Sequence, residues 1–443
     1  MSESVSISIP HTVSNAKWNA FHLIILLLCL AILFMDGFDT VLMGYVAPQI
    51  IHQWGIDKAD LGLTMSAALI GLAFGALCSG PLSDRLGRKP IIIVSVIVFG
   101  ICCLATTQAT TIAQLTWWRI GTGSGIGAAM SNALTIVSEF APQKHKSLMV
   151  NAVFCGFPFG AATSGFLASW MVPTFGWQSV FILGGTLPLL LVLPLWRWLP
   201  ESVLFLLQRP NAQTTIAQTL NQLLGHAWPH EINLRKGTSP NATNPVKAIV
   251  APARLGATLL LWTAYFMGLL IFYTVSSWMP TLIGEAGYDL AHATLLTALF
   301  PMGGVIGTPV SGWIMDRATP HKIVAFNYFM AGVFLFSIGY VVGIYWLGLA
   351  ILLAGTLMGG AQSSMGAIAA LHYPTAFRAT GVSWMLGMAR SGGIAGAIMG
   401  AWLLQWGLEY QSIFQLLFAP SVIAALALLG LMRHLRRCTA SPV

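Results

Sequence analysis

The chain has 443 residues, of which 56% are hydrophobic and 8% charged, whereas soluble domains carry about 25% charged residues. That composition excludes an ordinary soluble enzyme, and the net charge of +8 has to be read from where the basic residues lie. The 45 glycines, about one residue in ten, exceed the usual ~7% and suit helices packed closely in lipid.

Residues 1–19 form a polar tail with one basic residue, Lys17. The apolar run that follows is too long for a signal-peptide core and has no A-x-A-like cleavage site after it, so it reads as a retained first span. A spanning helix needs about 20 apolar residues. Twelve candidates follow, at about 20–47, 60–82, 90–109, 112–139, 148–171, 177–199, 255–280, 291–314, 320–343, 345–370, 381–403 and 411–433. They divide the chain into a tail (1–19), a six-span half (20–199), a central loop (200–254), a second six-span half (255–433) and a tail (434–443). The loop, rich in Gln, Asn, Thr and Pro, has room for one short amphipathic helix.

Lys and Arg set the orientation. With the N-terminus inside, 18 of the 21 basic residues fall on the inner side, Lys58 alone is outside, and Arg119 and Arg390 lie within spans. Both termini are therefore expected in the cytoplasm. The basic balance is an orientation signal first, and Asn241-Ala-Thr243, a glycosylation pattern on the inner side, is discounted. The six cysteines show neither a secreted-type framework nor zinc spacing with histidine and read as small core residues. No metal, cofactor or nucleic acid is expected.

The halves repeat each other weakly. "GPLSDRLGRK" (80–89) follows span two and "GWIMDRATPHK" (312–322) follows span eight, both as G-x-x-x-D-R and then a basic residue. Spans two, five, eight and eleven carry small residues four apart, at Gly71/Gly75, Gly156/Gly160, Gly303/Gly307 and Gly392/Gly396/Gly400. Each is the middle helix of a triplet, and such steps let backbones approach closely. Two halves built from inverted triplets are a transporter layout.

Ionisable residues within spans mark function by default. Asp36, Asp39, Arg119 and Arg390 are the clear cases here, with Glu139 near the inner end of span four. At ~1.5 Å per residue, Asp36 lies roughly 20 Å above the inner face, Arg119 roughly 10 Å below the outer face, and Arg390 roughly 14 Å up. In a ~30 Å core these share one slab. Asp36 and Asp39 stand i, i+3 on one helix face. Two such carboxylates should not both ionise freely, so one is expected to carry an exchangeable proton unless Arg119 compensates it. A structural ion pair with Arg119 is the competing reading. Arg390 has no acid at its level in the second half and reads as a ligand for an anion. Tyr265, Phe272, Tyr273 and Trp278 could stack on a ring or simply pack, and Gln362 could meet substrate or a neighbouring helix. "GSGIGA" (123–128) mimics a dinucleotide fingerprint but has no strand before it and is rejected.

Several stretches resemble a known family. "GPLSDRLGRK", "RIGTGSGIGAA" (119–129) and "LPES" (199–202) resemble motifs of the major facilitator superfamily. "DGFDTVLMGY" (36–45), "CGFPFGAATSG" (155–165), "WQSVFILGG" (177–185) and "YPTAFRATGVSWMLGMARSGG" (373–393) resemble its aromatic acid:proton symporter family, in the right order. Thr163-Ser164 departs from the small apolar pair expected there. The resemblance implies an all-α, twelve-helix membrane carrier in the bacterial inner membrane. It would be a monomer, not an enzyme, and would import a carboxylated aromatic compound with protons. Proton coupling would fall on Asp36 and Asp39, and substrate binding on Arg119 and Arg390, joined by Tyr265, Tyr273 and Gln362 from the reading of spans seven and ten above. Gating would fall on Gly80, Asp84, Arg85, Gly87, Arg88 and Glu139 in the first half and on Asp316, Arg317, His321 and Arg378 in the second. Carriage of another organic anion, such as a dicarboxylate, and proton-driven efflux are the alternatives. The antiporter motif G-P-x-x-G-G is not matched by "GFPFGAATSG".

Overall fold

A backbone crossing hydrocarbon must satisfy its own hydrogen bonds, and helices do this within one segment. The computed structural model describes residues 17–142, 145–207, 209, 212–224, 249–341, 343–373 and 378–440. Within them lie twelve spans. The first half has Ala20–Trp54, Gly62–Leu86, Arg88–Thr106, Ile112–Phe140, a fifth span made of Lys146–Phe154 and Gly156–Phe175, and Gln178–Trp198. The second has Pro252–Glu285, Leu290–Met315, Pro320–Ile338, Ile344–His372, Arg378–Gln405, and a twelfth span made of Tyr410–Leu416 and Phe418–Ala440.

Local chemistry sets the ends. Asn19 caps span one by accepting from the N–H groups of Phe21 and His22, and Gly55 closes it in the left-handed region at φ 61. Proline opens spans seven and nine, where its missing N–H costs nothing. Span one runs seven residues further than its apolar stretch, to Trp54. Among its described residues the central loop holds the helices Val203–Leu206 and Gln213–Leu224. The second ends against the start of span one, where the Asn19 amide donates to the carbonyls of Gln222 and Leu223 at 3.1 and 2.8 Å.

Ten of the described helices are apolar enough to cross a membrane by length and composition alone. Spans four and eleven fall short of that standard, and they are the two that carry Arg119 and Arg390.

Glycine lets partner helices touch backbone to backbone. A Cβ on Gly71 or Gly75 would overlap the carbonyls of Ile120 and Ser124, meshing spans two and four. Gly303 and Gly307 stand in the same way against Leu352 and Thr356, meshing spans eight and ten. Gly160 meets Phe34 of span one, and Gly392 meets Phe266 of span seven. Each contact in one half has its counterpart in the other. The polar pair Thr163-Ser164 returns its hydroxyls to the helix's own carbonyls, so its departure leaves no orphaned group.

The halves meet through spans one and seven, two and eleven, and five and eight. Contacts gather at the end away from the termini. There Gly44 lies against Ser276 and Ser277, Gly62 against Ala401, and Gly165 against Ala298. Lys58 forms an ion pair with Glu285 above them, and among the described residues no other ion pair joins the halves. These contacts and the ion pair hold the halves together at that end, which is read below as the sealed one.

Candidate functional site

Gly37 lets span five come close to span one, with the Phe157 carbonyl where a side chain would be. The turn bearing the two aspartates is thus held firmly, and its side chains diverge. Asp39 points to span four and accepts two hydrogen bonds from the Arg119 guanidinium, at 2.6 and 2.9 Å. A third bond, 3.1 Å, runs from Arg119 to the Asp39 carbonyl. The Phe181 ring lies 5.6 Å from the guanidinium carbon, and Cys103 Sγ stands 3.8 Å from Asp39 Oδ1. Both charged residues are 0% exposed.

Such a pair is costly to break by halves, because the survivor becomes an unpaired buried charge. Asp39→Asn or Arg119→Met should each lower stability by about 3–5 kcal/mol. The double variant should be closer to wild type than either single one. Thermal unfolding in detergent checks this, and strictly additive losses would count against the pair.

Asp36, about 60° round the helix, turns towards the second half. It is 2% exposed and accepts from the Thr40 hydroxyl at 3.1 Å. Among the described residues no cation lies within ion-pair distance of it, and the opposite charge that acts on it most strongly is Arg390, from the other half. Arg390 also has no carboxylate within ion-pair distance among the described residues; its guanidinium lies 3.9 Å from Met130 Sδ. As a residue it is partly exposed, as are Thr40, Met130, Tyr265 and Gln362. Tyr265 and Tyr273 lie within its electrostatic reach. The slab of charge is therefore two sites. One is a closed pair within the first half, and the other is an open pair across the interface.

Aromatic rings frame the open site. Phe272 packs against Tyr273, Phe300 and Phe157 with ring centres 5.3, 5.8 and 6.1 Å away. Trp278 is instead core, fully buried and donating to the Ala397 carbonyl at 2.7 Å. Spans seven, nine and ten meet at Gly268, where the Tyr328 hydroxyl and the Gln362 amide converge.

The loop after span two builds a separate polar site. Gly87 takes φ +101, which favours glycine, and a Cβ there would also strike Glu201. Glu201 Oε1 accepts from the backbone N–H groups of Arg88 and Lys89 at 2.8 and 3.3 Å, an anion seated on the start of span three. Arg88 pairs with Glu139 from span four, and the Arg209 side chain donates to the Arg85 carbonyl. Asp84 is exposed and acts on Arg88 through space, while Gly80 is exposed with open space around it. These partners belong to the first half and its flanking loop, so the network does not clasp the second half in this conformation.

Among the described residues the second-half loop shows no such network. Arg317 covers the Trp313 ring at 4.0 Å and donates to that residue's carbonyl at 3.0 Å, and Asp316 is exposed. His321 Nε2 and both ring nitrogens of His372 are buried without a hydrogen-bond partner. Arg378 opens span eleven, and its side chain lies outside the described residues.

Sequence reasoning passed over three residues. Thr40 holds Asp36 and sits one turn on from it, a spacing that could have been noticed. Glu201 lies inside the quoted "LPES" stretch, yet nothing local shows that it caps a helix starting 113 residues earlier. Tyr328 looks like any tyrosine in an apolar run.

The sequence profile described as Major Facilitator Superfamily matches residues 28–394. The chain is 43% identical over 437 residues to the 4-hydroxybenzoate transporter PcaK of Pseudomonas putida, covering 97% of each chain. It is 40% identical to the gallate transporter of the same species (94% of this chain, 92% of that one). Against the benzoate transport protein of Acinetobacter baylyi the identity is 32% (95% and 91%). Among solved structures, a D-xylose–proton symporter superposes with a TM-score of 0.73 at 15% identity, covering 92% of this chain and 97% of that one. A bacterial Spinster homologue in an inward-facing, unoccupied conformation gives 0.64 at 16% identity, with 96% of each chain covered.

Proposed function

Because the chain belongs to the major facilitator superfamily, and within it to the aromatic acid carriers, we propose that it imports an aromatic monocarboxylate with protons across the bacterial inner membrane. It is a carrier and not an enzyme. The excess of Lys and Arg supports placing both termini in the cytoplasm, which makes the sealed end the outer one. The chain then faces inward, working as a monomer.

One observation carries the reading: among the described residues Arg390 has no carboxylate within ion-pair distance and stands across the half interface from Asp36, which has no cation within that distance. A guanidinium offers two parallel N–H groups to a carboxylate. The substrate carboxylate would dock there, with its ring against Phe272, Tyr265 and Tyr273. Asp36 would take up the proton, and the halves would rock about the slab to expose it to either side. Arg119 would hold Asp39 and stiffen the first half instead of meeting substrate. That leaves one free cation among the described slab residues, which suits a monocarboxylate better than a dicarboxylate. In the opposite conformation the Asp84–Arg88–Glu139 cluster would be freed to latch the inner ends.

The test is uptake of radiolabelled benzoate, 4-hydroxybenzoate, gallate and a dicarboxylate into vesicles, with and without an inward proton gradient. Gradient-dependent accumulation of the aromatic acids, abolished by a protonophore, is expected. Accumulation indifferent to the gradient, or preference for the dicarboxylate, would overturn the reading.

A further inference from the structure

Spans seven, nine and ten converge on Gly268. A Cβ there would press on the Tyr328 hydroxyl from span nine and on the Gln362 amide from span ten. Both polar groups are short of partners. Tyr328 is 0% exposed and its hydroxyl makes no hydrogen bond. Gln362 Oε1 is also buried and unbonded, and its amide nitrogen has a 3.9 Å contact to Met358 Sδ. Buried polar groups are nearly always paired, because a bare one costs its full desolvation. The unbonded Tyr328 hydroxyl and the Gln362 Nε2 face the residue that has no side chain, and the unbonded Oε1 belongs to the same amide. Tyr265 links the spot to the charged end, since its ring lies within electrostatic reach of both Arg390 and Tyr328.

A phenolic hydroxyl is one donor and one acceptor. Tyr328 supplies a donor and Gln362 Oε1 an acceptor. We propose that these two residues form the subsite for a ring hydroxyl opposite the substrate's carboxylate, so that the carrier selects hydroxylated aromatic acids over the bare ring. The inference rests on the aromatic-acid reading above. Its force comes from an asymmetry: a site built to bond a hydroxyl rejects the analogue lacking it, because its own polar groups then stay unpaired.

The experiment is competition. Uptake of labelled 4-hydroxybenzoate by the full-length carrier is inhibited with unlabelled 4-hydroxybenzoate and with benzoate, and the ratio of half-inhibitory concentrations is read. Wild type should favour the hydroxylated acid by at least about tenfold. Tyr328→Phe removes the donor and Gln362→Met the acceptor, and each should shrink that preference by about tenfold. A packing role would leave the ratio unmoved, since deleting an unbonded buried hydroxyl relieves the fold. Wild-type ratios in both variants would overturn the subsite alone. A wild-type protein that accumulates neither acid would overturn the transport reading and the subsite with it.

Discussion

Arg390→Lys should raise the acid concentration needed for half-maximal uptake by about 10- to 100-fold, the loss of one charge-assisted hydrogen bond of ~1.5–3 kcal/mol. The charge survives in this variant, so the loss isolates the fork geometry. Arg390→Met should do more. It leaves a buried carboxylate with no cation, a defect of about 2–5 kcal/mol. Met130 and the tyrosines cannot take over, and the guanidinium of Arg119 is tied to Asp39 by three hydrogen bonds. Transport kinetics across a substrate series separate the two variants. Wild-type half-saturation in Arg390→Lys would remove carboxylate binding from this position.

Asp36→Asn should abolish accumulation driven by a pH gradient while leaving exchange of internal for external substrate. The reason is a count of charges in the slab. Asp39 and Arg119 cancel, so the variable charges are Asp36, Arg390 and the substrate carboxylate. The empty site with Asp36 ionised is neutral. The loaded site with Asp36 protonated is neutral as well. Either half-loaded form carries one unit of charge, and an unbalanced charge at mid-bilayer costs about 2.5–3.5 kcal/mol or more. Only the balanced forms should pass through the closed state, and that is coupling. With asparagine at 36 the loaded form stays neutral and still crosses, whereas the empty form carries the uncompensated charge of Arg390 and is held back. Counterflow measured beside net uptake tests both halves of the statement. Normal accumulation in this variant would end the proton role.

Much of this architecture could be read from the residues. Apolar runs of spanning length marked the twelve spans, ten of them apolar enough by hydropathy alone, and small residues four apart marked the helices that mesh. Depth could be read as well, because rise per residue is fixed: Asp36, Asp39, Arg119 and Arg390 do share a level. Direction around the helix could not. Residues i and i+3 differ by about 60° of rotation, enough to send Asp39 to span four and Asp36 towards the other half. Which carboxylate meets which arginine depends on how span one is turned, and packing far from either residue decides that. Glu201 and Tyr328 stayed hidden for the same reason. Their partners are brought to them by the fold, not by the neighbouring chain.

The meshed glycines have a consequence for how such a carrier can change. Every replacement of Gly71, Gly75, Gly303 or Gly307 adds at least one carbon where a backbone carbonyl already stands, so these positions have no mild substitutions. The framework is thus closed to drift. In the proposed site the groups that would face the ring, on spans seven, nine and ten, would touch substrate through side chains alone. They can be exchanged singly without disturbing how the halves move. A carrier built this way can acquire a new aromatic diet by a few point changes while its machinery stays untouched.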